Sequence, residues 1–272
     1  MTYTFGSLFA GVGGIDRGME LAGWECRWQV ENDPYCTRVL EKHWPDVKRY
    51  GDIRTLDPHE LERVDCIVGG FPCQPVSWAG RRKGQKDERW LWPEFYRVIS
   101  GLRPRYVLVE NVPGLLNGRE NFGRVLEDLA ESGYDGEWAC IPAAAVGAPH
   151  LRYRLFVVAY SHVPRLQRDV SEEPRPETDL RRRSPDTRTP DLADAESNGW
   201  EQGRAREAEQ FRIFGGGSFE RDSYWEVEPD VGRVVDGVPA RVDRLRVLGN
   251  AVVPQVARWL GLQIRRYHES TL

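Results

Sequence analysis

Long hydrophobic runs are missing from this sequence, and so is a strong excess of charge of either sign. No uninterrupted apolar stretch approaches the roughly 20 residues needed to span a bilayer. The N-terminus lacks a basic region followed by an apolar stretch, so a soluble, cytoplasmic protein with no membrane partner is expected. Cysteine is scarce: Cys26, Cys36, Cys66, Cys73 and Cys140 form an odd, scattered set of five. That pattern argues for reduced thiols and against a disulfide framework, and it offers no paired spacing for zinc, so no metal is expected. The 38 basic residues are outnumbered by 42 acidic ones, leaving a net charge of −4. A globally basic nucleic-acid binder is disfavoured by that balance. Screening over about 10 Å still lets a local basic patch act independently of the total.

What is present supports a core. Of 272 residues, 40% are apolar and 29% charged, with 10 Trp, 10 Tyr and 9 Phe. This excludes wholesale disorder and fits one large α/β domain, or such a domain with a small appendage.

Along the chain, strand-like and helix-like segments alternate. Thr4 to Phe9 is an apolar run ending in Ala10-Gly11-Val12-Gly13-Gly14, followed by helical spacing through Ile15, Met19 and Leu21 until Gly23. A second strand from Glu25 to Val30 ends at Glu31-Asn32-Asp33, before a helix carrying Tyr35, Val39 and Leu40. Asp65 to Gly69, Tyr106 to Val109 and Leu155 to Tyr160 read as further strands. Such alternation predicts parallel βαβ units with helices on both faces, a doubly wound α/β sheet. From about Ser161 to Ser223 the texture changes to Arg, Glu, Asp, Pro and Ser, which reads as an insertion or small, partly irregular lobe. A final helix is predicted from about Pro254 to Tyr267, with Val256, Leu260 and Ile264 on one face.

Four sites carry potential chemistry. Glycines in Phe9-Ala10-Gly11-Val12-Gly13 let backbone amides approach a ligand at a helix N-terminus. An acid after the second strand, Glu31, then suits two ribose hydroxyls, as a nucleoside cofactor requires. The dinucleotide pattern is incomplete, since Asp16 occupies its last glycine position, and an ordinary strand-to-helix turn would look the same. Gly69-Gly70-Phe71-Pro72-Cys73-Gln74-Pro75 places a thiol just past a strand end, where such sheets bind ligands. A thiolate is a soft nucleophile suited to an electron-poor ring carbon. The other four cysteines sit in or beside apolar elements and read as inert. Glu110 closes the strand from Tyr106, where partial desolvation would raise its pKa and let it protonate a ring nitrogen; a surface cap is the simpler reading of a lone Glu. Arg152-Tyr153-Arg154 places two guanidinium groups on one side of an extended segment, suited to a carbonyl or a phosphate, though an exposed Arg pair at a strand edge is the commoner arrangement.

Together with Gly249-Asn250-Ala251-Val252-Val253-Pro254, these segments resemble, in order and spacing, the DNA cytosine-5 methyltransferases. The resemblance covers about residues 4–160 and 230–265. It implies a Rossmann-like S-adenosylmethionine-dependent methyltransferase fold, with residues 1–160 as the catalytic domain, 161–225 as a short target-recognition region and 226–272 returning to the catalytic domain. It also implies S-adenosylmethionine as cofactor. Phe9, Ala10, Gly11 and Gly13 would contact adenine and the methionine portion, Glu31 the ribose, and Asn32 the adenine flank. Asp52-Ile53 would read the adenine edge, Pro72 would border the pocket, and Asn250 and Val252 would close its amino-acid end. Cys73 would add to carbon 6 of a flipped cytosine, Glu110 would act at ring nitrogen 3, and Arg152 and Arg154 would orient the base and support the Cys loop.

The stretch Gly80 to Arg89 carries a net charge of about +3 in an acidic protein, so Gln74, Ser77, Arg81, Arg82, Lys83 and Arg89 are candidate DNA contacts. Where the family carries a long recognition domain and an Arg-rich helix, this chain has a short polar interval, with Val231 to Arg246 in the helix's place. Such compact forms resemble those of phages and prophages. A monomer acting on double-stranded DNA is expected, with a cognate restriction endonuclease as a further partner. Alternatives are a methyltransferase acting on an RNA cytosine, such as one in transfer RNA, and a catalytically silent DNA-binding homologue.

Overall fold

The computed structural model describes residues 2–72, 90–117, 119–161 and 249–271. Seven strands form one sheet: β1 (Tyr3–Leu8), β2 (Trp24–Val30), β3 (Lys48–Tyr50), β4 (Cys66–Gly69), β5 (Tyr106–Asn111), β6 (Tyr134–Pro142) and β7 (Tyr153–Ser161). Their spatial order is β3-β2-β1-β4-β5-β7-β6. The first five are parallel, and β7 then pairs antiparallel with both β5 and β6. The strand order reverses between β1 and β4, the switch point where a doubly wound sheet leaves a crevice beyond its strand ends.

Alternation along the strands builds two cores. On β5, Val107 and Val109 join one apolar cluster, while Tyr106 and Leu108 join another. On β7, Leu155, Val157 and Ala159 face the first cluster and Phe156, Val158 and Tyr160 the second. A sheet buried on both faces needs continuous apolar strands, and the apolar runs of β4, of β5 through Val109 and of β7 from Leu155 follow from that. Helices α3 (Trp92–Leu102) and α4 (Arg119–Glu131) cover the first face. Helix α1 (Gly14–Leu21) and the last helix, α5 (Pro254–Ser270), cover the second. A fifth helix, α2 (Pro34–His43), starts at Asp33, whose Oδ1 accepts from the Tyr35 and Cys36 amides at 2.9 and 3.1 Å.

Helices α1 and α5 meet through small residues: a Cβ on Gly18 would collide with Ala257 and the Pro254 carbonyl. Two hydrogen bonds fasten α5 further, from Trp24 Nε1 at the start of β2 to the Gly261 carbonyl (3.1 Å) and from Arg265 Nη1 to the Ala22 carbonyl just past α1 (2.7 Å). The buried face of α1 is Ile15, Asp16, Gly18 and Met19; Leu21, expected on it, is 45% exposed. The buried positions cluster at 15–16, 18–19 and 22, as a 3.6-residue period dictates, and 21 falls off that stripe. Inside the face sits a buried carboxylate. Asp16 accepts from Ser7 Oγ at 3.0 Å and Gln29 Nε2 at 2.8 Å, and burial pushes its pKa up to about 6. The residue in the last glycine position of the nucleotide pattern thus pins α1 to β1 and β2.

Candidate active site

The crevice opens between the turns that follow β1 and β4. Phe9 leaves β1 with a positive φ of 54° and stacks on Phe95 of α3, ring centroids 6.2 Å apart. The Gly13 amide closes the turn onto the Ala10 carbonyl at 2.9 Å, and the Ala10 amide reaches back to the Val30 carbonyl. Gly11 has φ +59° and open space where a Cβ would project. Its amide donates to Glu31 Oε2 at 2.7 Å, while the Asp33 amide donates to Oε1 at 2.8 Å. One carboxylate therefore joins the turns after β1 and β2. Asn32 beside it is exposed. Asp52 starts a 3₁₀ turn (Ile53–Thr55) and accepts from the Arg54 amide and guanidinium, each at 3.0 Å. These hydrogen bonds hold its pKa below the usual carboxylate value. Ile53 is buried in the core on the α3 side.

At the β4–β5 side, Gly70 packs directly against the Glu110 carboxylate, where a side chain would collide with Oε2. Asn111 Nδ2 donates to the Phe71 carbonyl at 3.1 Å, which fixes the chain leading into the half-buried Pro72. Glu110 is only 9% exposed, and its Oε1 pairs with Arg154 Nε at 3.0 Å. Desolvation raises its pKa to about 7, against the opposing pull of Arg154 and Arg152. A carboxyl with that pKa holds or releases a proton near neutrality.

The two arginines do not lie side by side on an extended segment as predicted. Arg152 precedes β7 with φ 37°, and its Nη2 donates to the Gly249 and Ala251 carbonyls at 2.7 and 2.5 Å. Arg154 lies within β7, holding Glu110 and donating to the Tyr153 carbonyl at 2.9 Å. The left-handed turn at Arg152 breaks the alternation that the sequence argument assumed. The pair therefore bridges two regions: Arg154 supports the carboxyl, and Arg152 supports the segment before α5.

That segment brings Asn250, exposed, and Val252, buried, up to the glycine turn, where Gly14 lies against the Val252 backbone. A cavity of about 830 Å³ opens beside it, lined among others by Val12, Gly13, Tyr35, Trp44, Arg152 and Val252. It touches the predicted amino-acid end of the cofactor site and leaves out Glu31 and the Asp52–Ile53 segment.

Cys73, Gln74, Ser77, Arg81, Arg82, Lys83 and Arg89, and the region 162–248, lie outside the described residues. Among the described cysteines, Cys26, Cys36 and Cys66 are buried and Cys140 partly so, and burial raises the thiol pKa of Cys26, Cys66 and Cys140. Among the described residues there is no cluster of metal-ligating side chains, and no helix is long and apolar enough to cross a membrane. Sequence reasoning overlooked Asn111 as the anchor of the Phe71 carbonyl, although it stands within Glu110-Asn111-Val112, and it gave no role to Asp16.

A switch-point crevice with a glycine turn, a carboxylate joining two loops and a buried Glu–Arg pair defines an α/β protein of the methyltransferase fold. A profile of the C-5 cytosine-specific DNA methylase family matches residues 3–212, and the chain belongs to that family. It is similar to Type II methyltransferase M.NgoMIV of Neisseria gonorrhoeae, 34% identical over 182 residues covering 64% of this chain and 58% of that protein. It is also similar to M.BsuFI of Bacillus subtilis, 34% identical over 161 residues, 58% of this chain and 39% of that one. The chain thus spans about half the length of these relatives. Among solved structures, a prophage-encoded E. coli protein described as a DNA modification methyltransferase aligns with a TM-score of 0.52. It is 26% identical and covers 59% of this chain and 47% of its own. DNMT2 of Spodoptera frugiperda shares the fold, with a TM-score of 0.50 at 22% identity, covering 59% and 50% of the two chains.

Proposed function

We propose that this protein methylates carbon 5 of a cytosine flipped out of duplex DNA, using S-adenosylmethionine and a transient bond from Cys73 to ring carbon 6. The observation that carries the reading is the buried Glu110–Arg154 pair, with a carboxyl pKa near 7, packed against the glycine that leads through Phe71 and Pro72 to Cys73. Membership of the C-5 cytosine-specific DNA methylase family supports the choice of base. Relatives named Type II methyltransferases support duplex DNA as the partner.

The residues present fit the cofactor. Gly11 leaves open space above the turn, and Glu31 offers acceptor oxygens beside it for ribose hydroxyls. Phe9, half-buried, supplies apolar surface for a purine, with Ile53 buried behind the Asp52 turn, and Val252 closes the far end of the glycine turn. When bound there, S-adenosylmethionine supplies a methyl group already activated by its sulfonium.

Carbon 5 of cytosine is a poor nucleophile until electrons enter the ring. The Cys73 thiolate forms a bond to carbon 6 while Glu110 delivers a proton to nitrogen 3, leaving carbon 5 electron-rich. Arg154 keeps the Glu110 carboxyl aimed as its charge changes. Once carbon 5 carries the methyl, its proton passes to solvent water, the bond from sulfur to carbon 6 breaks and the thiolate is restored. Glu110 takes its proton back from nitrogen 3. The basic stretch Gly80 to Arg89, with Gln74 and Ser77, follows the nucleophile in sequence and suits the phosphates around the extruded base.

Incubation with tritiated methyl donor and either duplex DNA or RNA, followed by sequencing for modified cytosine, tests the reading. Label on DNA is expected. Label on RNA alone would overturn the substrate, and label on neither would make this a silent DNA-binding homologue. Cys73→Ser should abolish the covalent adduct with 5-fluorocytosine DNA and leave cofactor binding unchanged; a persisting adduct means another nucleophile.

A further inference from the structure

Arg97, on α3, commits its whole guanidinium to one turn of the cofactor side. Nη2 donates to the Ile53 carbonyl and Nη1 to the Leu56 carbonyl, both at 2.6 Å, while Nε donates to Glu94 Oε2 at 2.8 Å. The two carbonyls bracket the 3₁₀ turn that begins at Asp52. Within the turn, the Thr55 amide reaches the Asp52 carbonyl at 3.1 Å and the Leu56 amide the Ile53 carbonyl at 3.3 Å, and Arg54 and the Thr55 hydroxyl tie its start to Asp52. Short 3₁₀ segments have poor hydrogen-bond geometry, so outside support decides where they sit. Ile53 and Leu56 point into the same apolar cluster as Phe95 and Ile99 of α3, and Phe95 also backs Phe9. One helix therefore backs both Phe9 and the turn that carries Asp52.

We propose that Arg97 is a positioning residue for the cofactor: its planar fork holds the Ile53–Leu56 carbonyls so that the Asp52–Ile53 segment meets the adenine at a fixed height. This rests on the S-adenosylmethionine reading above. The fork matters because two carbonyls about one turn apart are met by two coplanar donors, which the single ammonium of lysine reproduces only in part. Glu94 fixes the third nitrogen and hence the plane.

The test compares Arg97→Gln and Arg97→Lys with wild type in the full chain. Binding of S-adenosylhomocysteine is measured by calorimetry, and steady-state methyl transfer to duplex DNA is measured at varied S-adenosylmethionine. Loss of the fork should raise both Kd and the cofactor KM about tenfold in Arg97→Gln, with partial recovery in Arg97→Lys. The kcat at saturating cofactor should stay within about twofold, the signature of lost positioning in binding. A kcat that falls together with Tm while Kd stays at the wild-type value would mean that Arg97 only braces the fold, and would overturn the proposal. Should Arg97→Gln not fold, Glu94→Gln frees Nε alone; a smaller rise in KM is expected there, and an unchanged KM overturns the proposal. Wild type that binds no S-adenosylhomocysteine removes the cofactor reading and this inference with it. That result is distinct from tight wild-type binding with indifferent variants, which removes the Arg97 role alone.

Discussion

Two carboxylates stand at the same edge of the sheet, Glu31 just past β2 and Glu110 near the end of β5, and their surroundings differ in kind. Glu31 is half-buried and receives two backbone amides, from Gly11 and Asp33, so its contacts are uncharged donors that hold it as an acceptor between two loops. Glu110 is buried against Gly70 and faces Arg154, and desolvation outweighs that cation to leave its pKa near 7. The same side chain thus stands in two environments, which match the two tasks proposed for it. Amide donors and partial exposure suit a group that binds hydroxyls, while burial with one strong partner suits a group that moves a proton.

The comparison breaks most readily at turnover. Glu110→Gln keeps the shape and removes the proton, so kcat should fall by about 10²–10⁴ with the cofactor Kd unchanged. Tritium transfer at saturating cofactor reads this directly, and turnover near the wild-type rate would place the acid elsewhere.

A second prediction concerns stability against pH. Glu110 and Asp16 both have folded-state pKa values above their ordinary ones, about 7 and about 6. The folded state therefore holds protons that the unfolded chain has released, and stability from these groups is greatest at low pH and lost as pH rises through the folded values. Urea unfolding of wild type between pH 4.5 and 7 should show a downward contribution that Glu110→Gln removes, on the order of 3 kcal/mol. Asp16→Asn should flatten the curve over the lower part of the window, between about pH 4 and 6. Curves for wild type and Glu110→Gln that run parallel would contradict the burial argument.

The smallest effect belongs to Glu31→Ala. Losing the acceptor should weaken S-adenosylhomocysteine binding by about 1–3 kcal/mol. Turnover at saturating cofactor should change little, opposite to the pattern for Glu110. Calorimetry with both variants gives the contrast in one experiment, and a Kd unmoved by Glu31→Ala would count against the ribose role.

Legibility in the sequence varied with the range of the interaction. β1, β2, β4 and β5 were readable to within two residues at each end, because each carries an apolar or alternating pattern that stops at a polar or glycine-rich turn. β3, only three residues long, has no pattern to read, and the edge strand β6 mixes exposed Asp and Trp with buried Tyr, Glu and Ile. Helices α3 and α4 carry apolar faces, yet neither entered the sequence reading, which followed the strand ends where ligands bind. The glycine turn and Glu110 were legible because each sits at a strand end. Arg152 was misplaced because a single left-handed residue removes it from the strand, and alternation says nothing about such a break.

The alternation of strands and helices, the glycine turn, the acids at the ends of β2 and β5 and the resemblance to a methyltransferase family were legible in local composition and spacing, since they depend on neighbours within a few residues. Which arginine holds Glu110, why a carboxyl at position 16 is tolerated inside α1, and how Arg97 reaches across to Ile53 depend on residues brought together from distant parts of the chain. Those choices belong to the tertiary structure, because a pKa or a hydrogen-bond partner is set by what surrounds a group in space, and burial exists only once the two cores have closed over the sheet.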